Sequence, residues 1–312
     1  MAPPGCGIIS IAPRWSVSYP RVMIDSTAVV TGGNQGLGLA LVRGLCAAHP
    51  GRTVYLGARD EARGKAAVEG LRAEGLSPEL LIIDVSEDES VQTAAELIRA
   101  RHGGVDLVIS NAAARLLADR TEAQSVRTFV DTNNHGAVRM IRAFGPLLRE
   151  HARFLVVASA FGSLRYLPEP LHAMFDTEHL SLDELGGVMD DYVRLVETGQ
   201  ARAAGWPESI NIASKIGQVA AVRIMAREYA EQARAQDVLI NAACPGLVDT
   251  DASRPWFSDM SQAQSPDEAA RDVLWLASLP VGTTEPYGEL VQYRAILPWT
   301  GAPLTVTNRT DG

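Results

Sequence analysis

The chain has 312 residues, of which 46% are hydrophobic and 21% charged, and its 28 basic against 37 acidic side chains give a net charge of −9. That balance describes a globular protein with ample apolar material for a core, and its sign argues against nucleic acid or an anionic membrane as a partner. Cys6, Cys46 and Cys244 show neither paired nor metal-ligand spacing, so neither a disulfide frame nor a metal site is expected, and a reducing, cytoplasmic setting fits.

No apolar run reaches the roughly 20 residues of a membrane span, and the start of the chain lacks the basic and apolar stretches of a signal peptide. Residues 1–24 read as an extension, with Met23 as a candidate start. Residues 27–31 are then a β-branched run ending in glycines, and 37–48 repeat apolar residues at helical spacing. The strand–helix pair recurs as 53–56 with 61–74, as 80–83 with 90–101, and as 105–109 with a long helical stretch through Leu148. Residues 154–158 and 238–243 supply a fifth and a sixth strand. Short buried strands alternating with amphipathic helices predict an α/β fold, a single Rossmann-type doubly wound parallel sheet. It should occupy residues 25–300, with 301–312 as a tail.

Two segments break the rhythm. A helical insertion at 163–208, containing a probable helix at 182–196, separates the fifth strand from the helix that carries Lys215. Residues 246–264 form a second excursion, ahead of a capping box with proline at its first position, Ser265-Pro-Asp-Glu268. Both leave the carboxyl ends of strands, where ligands of such sheets bind, so the first is expected to cover a substrate.

Thr31-Gly-Gly-Asn-Gln-Gly-Leu-Gly38 lies between the first strand and the first helix. Gly32, Gly36 and Gly38 permit positive φ and let a pyrophosphate approach helix N–H groups, with Asn34, Gln35 and Leu37 between them. The second strand ends in Arg59, where an NAD site has an acid, and Arg63 follows one helical turn later. Two guanidinium groups at a helix N-terminus oppose its dipole unless an anion joins them, so NADP(H), with its 2′-phosphate, is the expected cofactor. The alternative is a pair of solvated arginines, one neutralised by Asp60. Asp84, with Val85 after it, ends the third strand within reach of an adenine amine, or else caps the following helix.

With Asn111-Ala-Ala, Ser159, the Lys215 helix and Pro245-Gly246 in this order, the chain resembles the short-chain dehydrogenase/reductase superfamily over roughly residues 25 to 295. Ala58-Arg-Asp-Glu-Ala-Arg-Gly64, Gly205-Trp-Pro207, Lys215-Ile-Gly217 and Asn241-Ala-Ala-Cys-Pro-Gly246 are similar to its monomeric carbonyl reductases, as is the insertion. The resemblance implies a monomer acting on a small-molecule carbonyl compound, with aromatic or polyketide-like character suggested by Trp206, Leu247, Trp256 and Phe257. It also implies roles. Asn111 would brace the sheet end, Asn133 would hold a water, Ser159 would bind the substrate carbonyl, and Lys215 would bind the nicotinamide ribose. Pro245, Gly246, Val248 and Thr250 would line the nicotinamide end. A polar cap on the strand end is the other reading of Ser159.

Asn211 stands four residues before Lys215, where the family has its proton-donating tyrosine. An amide can donate a hydrogen bond to an oxyanion but cannot act as the acid. Three readings follow: a ketoreductase taking its proton from water or substrate, a non-redox NADP(H)-binding cyclase or isomerase, and an inactive NADP(H)-binding regulator. Tyr166, Tyr192 and His135 are further candidate acids.

Overall fold

The computed structural model describes residues 26–116, 119–254 and 259–301. The expected extension, Trp256, Phe257 and all of the tail except Gly301 lie outside the described residues. The first four strand–helix pairs alternate as their apolar periodicity dictates. Strand β1 (Thr27–Val30) leads to α1 (Gly36–Ala48), β2 (Thr53–Ala58) to α2 (Glu61–Ala73), β3 (Glu79–Ile82) to α3 (Asp88–His102), and β4 (Val105–Ser110) to α4 (Glu122–Val130).

The helical stretch expected to run to Leu148 is broken twice. A π-helical turn, Asp131–His135, divides α4 from α5 (Gly136–Phe144), and Gly145-Pro146 then tightens the chain into a 3-10 turn. Leu148 therefore begins β5 (Leu148–Val157), six residues earlier than the apolar run alone suggests. Proline removes the donor that continued helix needs, which explains the stop.

After β5 come three short 3-10 segments and α6 (Leu182–Glu197), entered through a capping box in which Ser181 Oγ accepts Glu184 N–H. Helices α7 (Ile210–Glu228) and α8 (Ala230–Gln236) precede β6 (Leu239–Cys244), and α9 (Pro266–Ala277) opens on the capping box read from Ser265. The chain closes with β7 (Leu290–Gln292) and β8 (Ala295–Leu297).

The strands form one sheet in the order β3-β2-β1-β4-β5-β6-β7-β8, parallel except for the last pair. Strand order reverses between β1 and β4, so the connections leaving these two strands diverge to opposite sides. That divergence opens a crevice at their carboxyl ends. Cores fill both faces. Phe144, Phe154 and Tyr192 belong to one, and Leu41, Leu56 and Ile109 to the other, all with exposure below 2%. Among the described residues no helix is long and apolar enough to cross a membrane, and no cluster of side chains is arranged to hold a metal ion.

Candidate active site at the carboxyl ends of the strands

The glycine turn is held by contacts that leave no room for a side chain. Gly32 and Gly36 have φ of +63° and +52°, in the left-handed region. A Cβ on Gly38 would collide with the carbonyl oxygen of Gly32, and one on Gly32 would stand 2.9 Å from Ala112 Cα. Asn111 Nδ2 donates to the carbonyl oxygens of Thr31 (3.0 Å) and Gly32 (3.4 Å). Thr31 Oγ1 in turn accepts the N–H groups of Asn111 and Ala112, both at 3.0 Å. Asn111 thus braces the crevice. Thr31, quoted only as the start of the motif, proves to be the other half of the clamp.

The side chains of Asn34 and Gln35 make no hydrogen bond among the described residues, and Gln35 is exposed at the start of α1, while Leu37 is buried. Arg59 and Arg63 are both exposed beside the N-terminus of α2, and neither forms an ion pair among the described residues. Asp60 does not neutralise them: its carboxylate accepts the Arg63 backbone N–H at 2.9 Å as the helix cap. Asp84 does not cap α3 either. Its Oδ1 accepts from Ser86 N (3.0 Å) and Ser86 Oγ (2.7 Å), and the residue at the cap position is Glu87. Val85 packs into the core, and its carbonyl oxygen accepts from Arg139.

On the other lip, Gly246 has a φ of +79° and Val248 is buried beside Gln264. Thr250 closes over the glycine turn, its Cγ2 within 3.2 Å of where a Gly36 Cβ would lie. Gln264 Nε2 donates to the Pro245 carbonyl at 3.4 Å. Pyrophosphate and nicotinamide ends of the expected cleft are therefore brought together by residues more than 200 positions apart.

The catalytic candidates converge on α7. Asn133 lies in the π-helical turn, 1% exposed; its Oδ1 accepts from Ala114 N at 2.9 Å, and its Nδ2 donates to Ser214 Oγ at 3.3 Å. Its side chain is thus engaged by the framework at both polar atoms. Ser214, which sequence reasoning passed over, also donates to Asn134 Oδ1 at 2.8 Å and fixes α7 against the turn. Ser159 ends β5 in extended geometry with Oγ accepting the Phe161 N–H at 3.3 Å, so the capping reading describes its present contact. Gly162 seats this segment on α7, where a Cβ would stand 3.0 Å from the Lys215 carbonyl oxygen.

Asn211 and Lys215 are one turn apart on the same face of α7. Asn211 is 8% exposed, and its side-chain amide has no hydrogen-bond partner among the described residues; only its backbone N–H is engaged, by Ser209 Oγ. Lys215 Nζ donates to Gln218 Oε1 at 2.7 Å. Burial lowers its pKa to about 8, opposed only by the attraction of the Cys244 sulfur. Gln218, 2% exposed, was missed because nothing in its sequence setting distinguishes it from core filler.

The other candidate acids are placed elsewhere. His135 Nε2 pairs with Asp190 at 3.0 Å. Tyr192 is fully buried against Trp206, with ring centroids 4.5 Å apart, and burial raises its pKa. Trp206 is 4% exposed and packs in the core between Tyr192 and Phe175. Tyr166 packs edge-on to Phe161 at 5.1 Å.

Comparison with known proteins places this arrangement. The family model described as short chain dehydrogenase matches residues 26–169. Carbonyl reductase (NADPH) 1 of Bos taurus is 35% identical over 279 residues, covering 88% of this chain and 99% of its own. The protein of that name from Homo sapiens is 35% identical over 276 residues, covering 87% and 98%. Among solved structures, salutaridine reductase from Papaver somniferum superposes with a TM-score of 0.73 at 22% identity, covering 85% of this chain and 99% of that one. Menthone neomenthol reductase from Mentha piperita gives 0.69 at 24%, covering 85% and 98%.

The chain has two lysines, Lys65 and Lys215, so its lysine side chains can be followed singly. With isotope-labelled lysine Nζ, NMR should show one group titrating near pH 8 and the other, the exposed Lys65 paired with Glu61 at 2.7 Å, staying charged to higher pH. Two titrations in the ordinary lysine range would refute the burial of Lys215.

Proposed function

Because the chain belongs to the short-chain dehydrogenase family, we propose that it is an NADPH-dependent reductase of ketones or quinones that takes its proton from water or from the substrate. The observation that carries this reading is the pairing on α7 of an Asn211 amide that has no hydrogen-bond partner among the described residues with a half-buried Lys215, beside a cradle in which Gly32 and Gly36 have positive φ and Gly38 leaves no space for a side chain. The cradle residues fit the cofactor. Gly32, Gly36 and Gly38 leave the N-terminus of α1 open to a pyrophosphate, and Arg59 and Arg63, cations without an ion pair among the described residues, are suited to a 2′-phosphate. The relatives named carbonyl reductase (NADPH) 1 support the same cofactor.

When bound, NADPH supplies a hydride for the carbonyl carbon. Ser159 Oγ and the Asn211 amide donate hydrogen bonds to the carbonyl oxygen, so the charge that develops there is stabilised without a phenol. The missing acid costs about 10² to 10⁴-fold in rate, which slows the reaction without forbidding it. Lys215, once it leaves Gln218, holds the cofactor ribose and the water that gives up the proton. Asn133, held in the π-helical turn beside α7, would hold the same water, as the family resemblance implies. A phenol ortho to the ketone would serve in place of that water. The half-buried Phe161 and Leu247 suit an aromatic substrate, and α6, packed on α4 and α7, suits a monomer by covering their outer faces.

Three measurements test this reading. Deuterium should pass from the 4-position of labelled NADPH to the product of at least one activated aromatic ketone or quinone. Tight NADPH binding with no transfer across a broad carbonyl panel would sink the reductase reading in favour of a non-redox role. Replacing both Arg59 and Arg63 with Gln should weaken NADPH about tenfold or more and leave NADH unchanged, since each charge-assisted contact to the 2′-phosphate is worth roughly 1.5 to 3 kcal/mol. Asn211→Tyr should raise turnover of simple aldehydes about 10²-fold by restoring the acid. A folded Asn211→Tyr protein with no gain would show that the pocket has lost more than its tyrosine.

A further inference from the structure

Among the described arginines that are not fully exposed, Arg165 stands apart by its lack of partners. Every other arginine among the described residues that is not fully exposed donates to at least one acceptor: Arg43, for example, to Glu74, Arg139 to Asp131, and Arg227 to the carbonyls of Thr177 and Leu180. Arg165 is half-buried, makes no hydrogen bond or ion pair among the described residues, and its Nε–H is fully enclosed without an acceptor. A guanidinium carries five donors and cannot discharge itself by losing a proton, so enclosing it unpaired is unfavourable unless something else supplies the acceptor.

Its position connects that deficit to the reaction. Arg165 lies in the 3-10 turn Leu164–Tyr166, six residues after Ser159. Its guanidinium rests over the Tyr166 ring, 5.5 Å from the centroid, and that ring meets Phe161 edge-on at 5.1 Å. The Phe161 N–H is the group that Ser159 Oγ holds. Ser163 Oγ donates to the carbonyl oxygen of Pro298 at 2.7 Å, and Leu164 N to that of Trp299 at 2.8 Å, so the turn is fixed in place. A rigid path of two aromatic rings therefore leads from the carbonyl-binding serine to an unneutralised cation.

Building on the reductase reading, we propose that Arg165 determines specificity by binding a carboxylate carried by the carbonyl substrate, at the far end of an apolar surface formed by Phe161 and Tyr166. The preferred substrates are then keto acids in which the carboxylate is separated from the reducible carbonyl by an apolar spacer. The planar fork of an arginine suits a carboxylate, which can accept two of its N–H groups at once. Charge on the substrate is also what an otherwise acidic chain would have to attract locally, since its net charge of −9 repels anions at long range.

The test compares benzoylpropionate with its methyl ester, which differ in the charge but share the ketone, on wild-type protein, Arg165→Gln and Arg165→Lys. Arg165→Gln should raise KM for benzoylpropionate about tenfold or more, as expected for loss of a charge-assisted contact, and leave kcat and KM for the ester within about twofold. Arg165→Lys should keep part of the preference for the acid. Equal effects on acid and ester, or no effect on either, in a variant with unchanged melting temperature and NADPH affinity would overturn the proposal. Calorimetric titration of benzoylpropionate into the NADPH-loaded protein separates this from the reductase reading. Arg165-dependent binding without turnover would reject reduction and keep the anion site, whereas turnover with no dependence on Arg165 would do the reverse.

Discussion

The clamp between Thr31 and Asn111 is the constraint on which the site depends. Four hydrogen bonds join the ends of β1 and β4 at the place where the strand order reverses, extending the ladder in which Thr31 N–H donates to the Ile109 carbonyl. Because Gly38 lies against the Gly32 carbonyl, the same clamp sets the height of the α1 N-terminus above the sheet. Loosening it would move the pyrophosphate cradle and, through the Ala112 N–H, the loop that reaches Asn133 at Ala114. The glycine turn and α7, the proposed cofactor cradle and catalytic helix, are thus parts of one bonded frame.

Within that frame Asn211 offers an amide where the related reductases have a phenol, so Lys215 has no ionisable partner at that position, and its Nζ donates to neutral Gln218. Desolvation lowers its pKa to about 8, opposed by the Cys244 sulfur. Burial likewise raises the Cys244 thiol, against backbone N–H groups of Gly246 and Ala160 that would lower it. On the proposed reading the site is poor in fixed charge around Asn211 and Ser159, and charge would be recognised at its margins, by Arg59, Arg63 and Arg165.

Legibility in the sequence followed the range of the interactions. The first three strand–helix pairs, β4 and α6 could be read to within a few residues because each depends on local periodicity and short-range caps. The hairpin β7–β8 could not. Its turn is Tyr293-Arg294, both with positive φ, where the readable signals are Asn-Gly or Asp-Gly. The π-helical turn that places Asn133 was equally hidden, since Asp-Thr-Asn-Asn-His carries no breaker and the turn is fixed by Ser214, 81 residues away in the chain. Aromatic residues stayed ambiguous for the same reason: residue type alone does not separate pocket lining from core for Trp206 or Tyr192, and their mutual packing decides for the core.

The sequence by itself determined the doubly wound architecture, the glycine cradle, the two arginines at the end of β2 and the absence of a tyrosine before Lys215. These are consequences of residue type at short spacing, where sterics and backbone hydrogen bonding act within a few positions. Only the tertiary structure decided what each polar group is free to do. It committed the Asn133 side chain to Ala114 and Ser214, left the Asn211 amide unengaged, turned Lys215 to Gln218 and left Arg165 without an acceptor. Hydrogen-bond satisfaction in a buried site depends on which neighbours the fold delivers, and those neighbours come from segments that no local pattern connects.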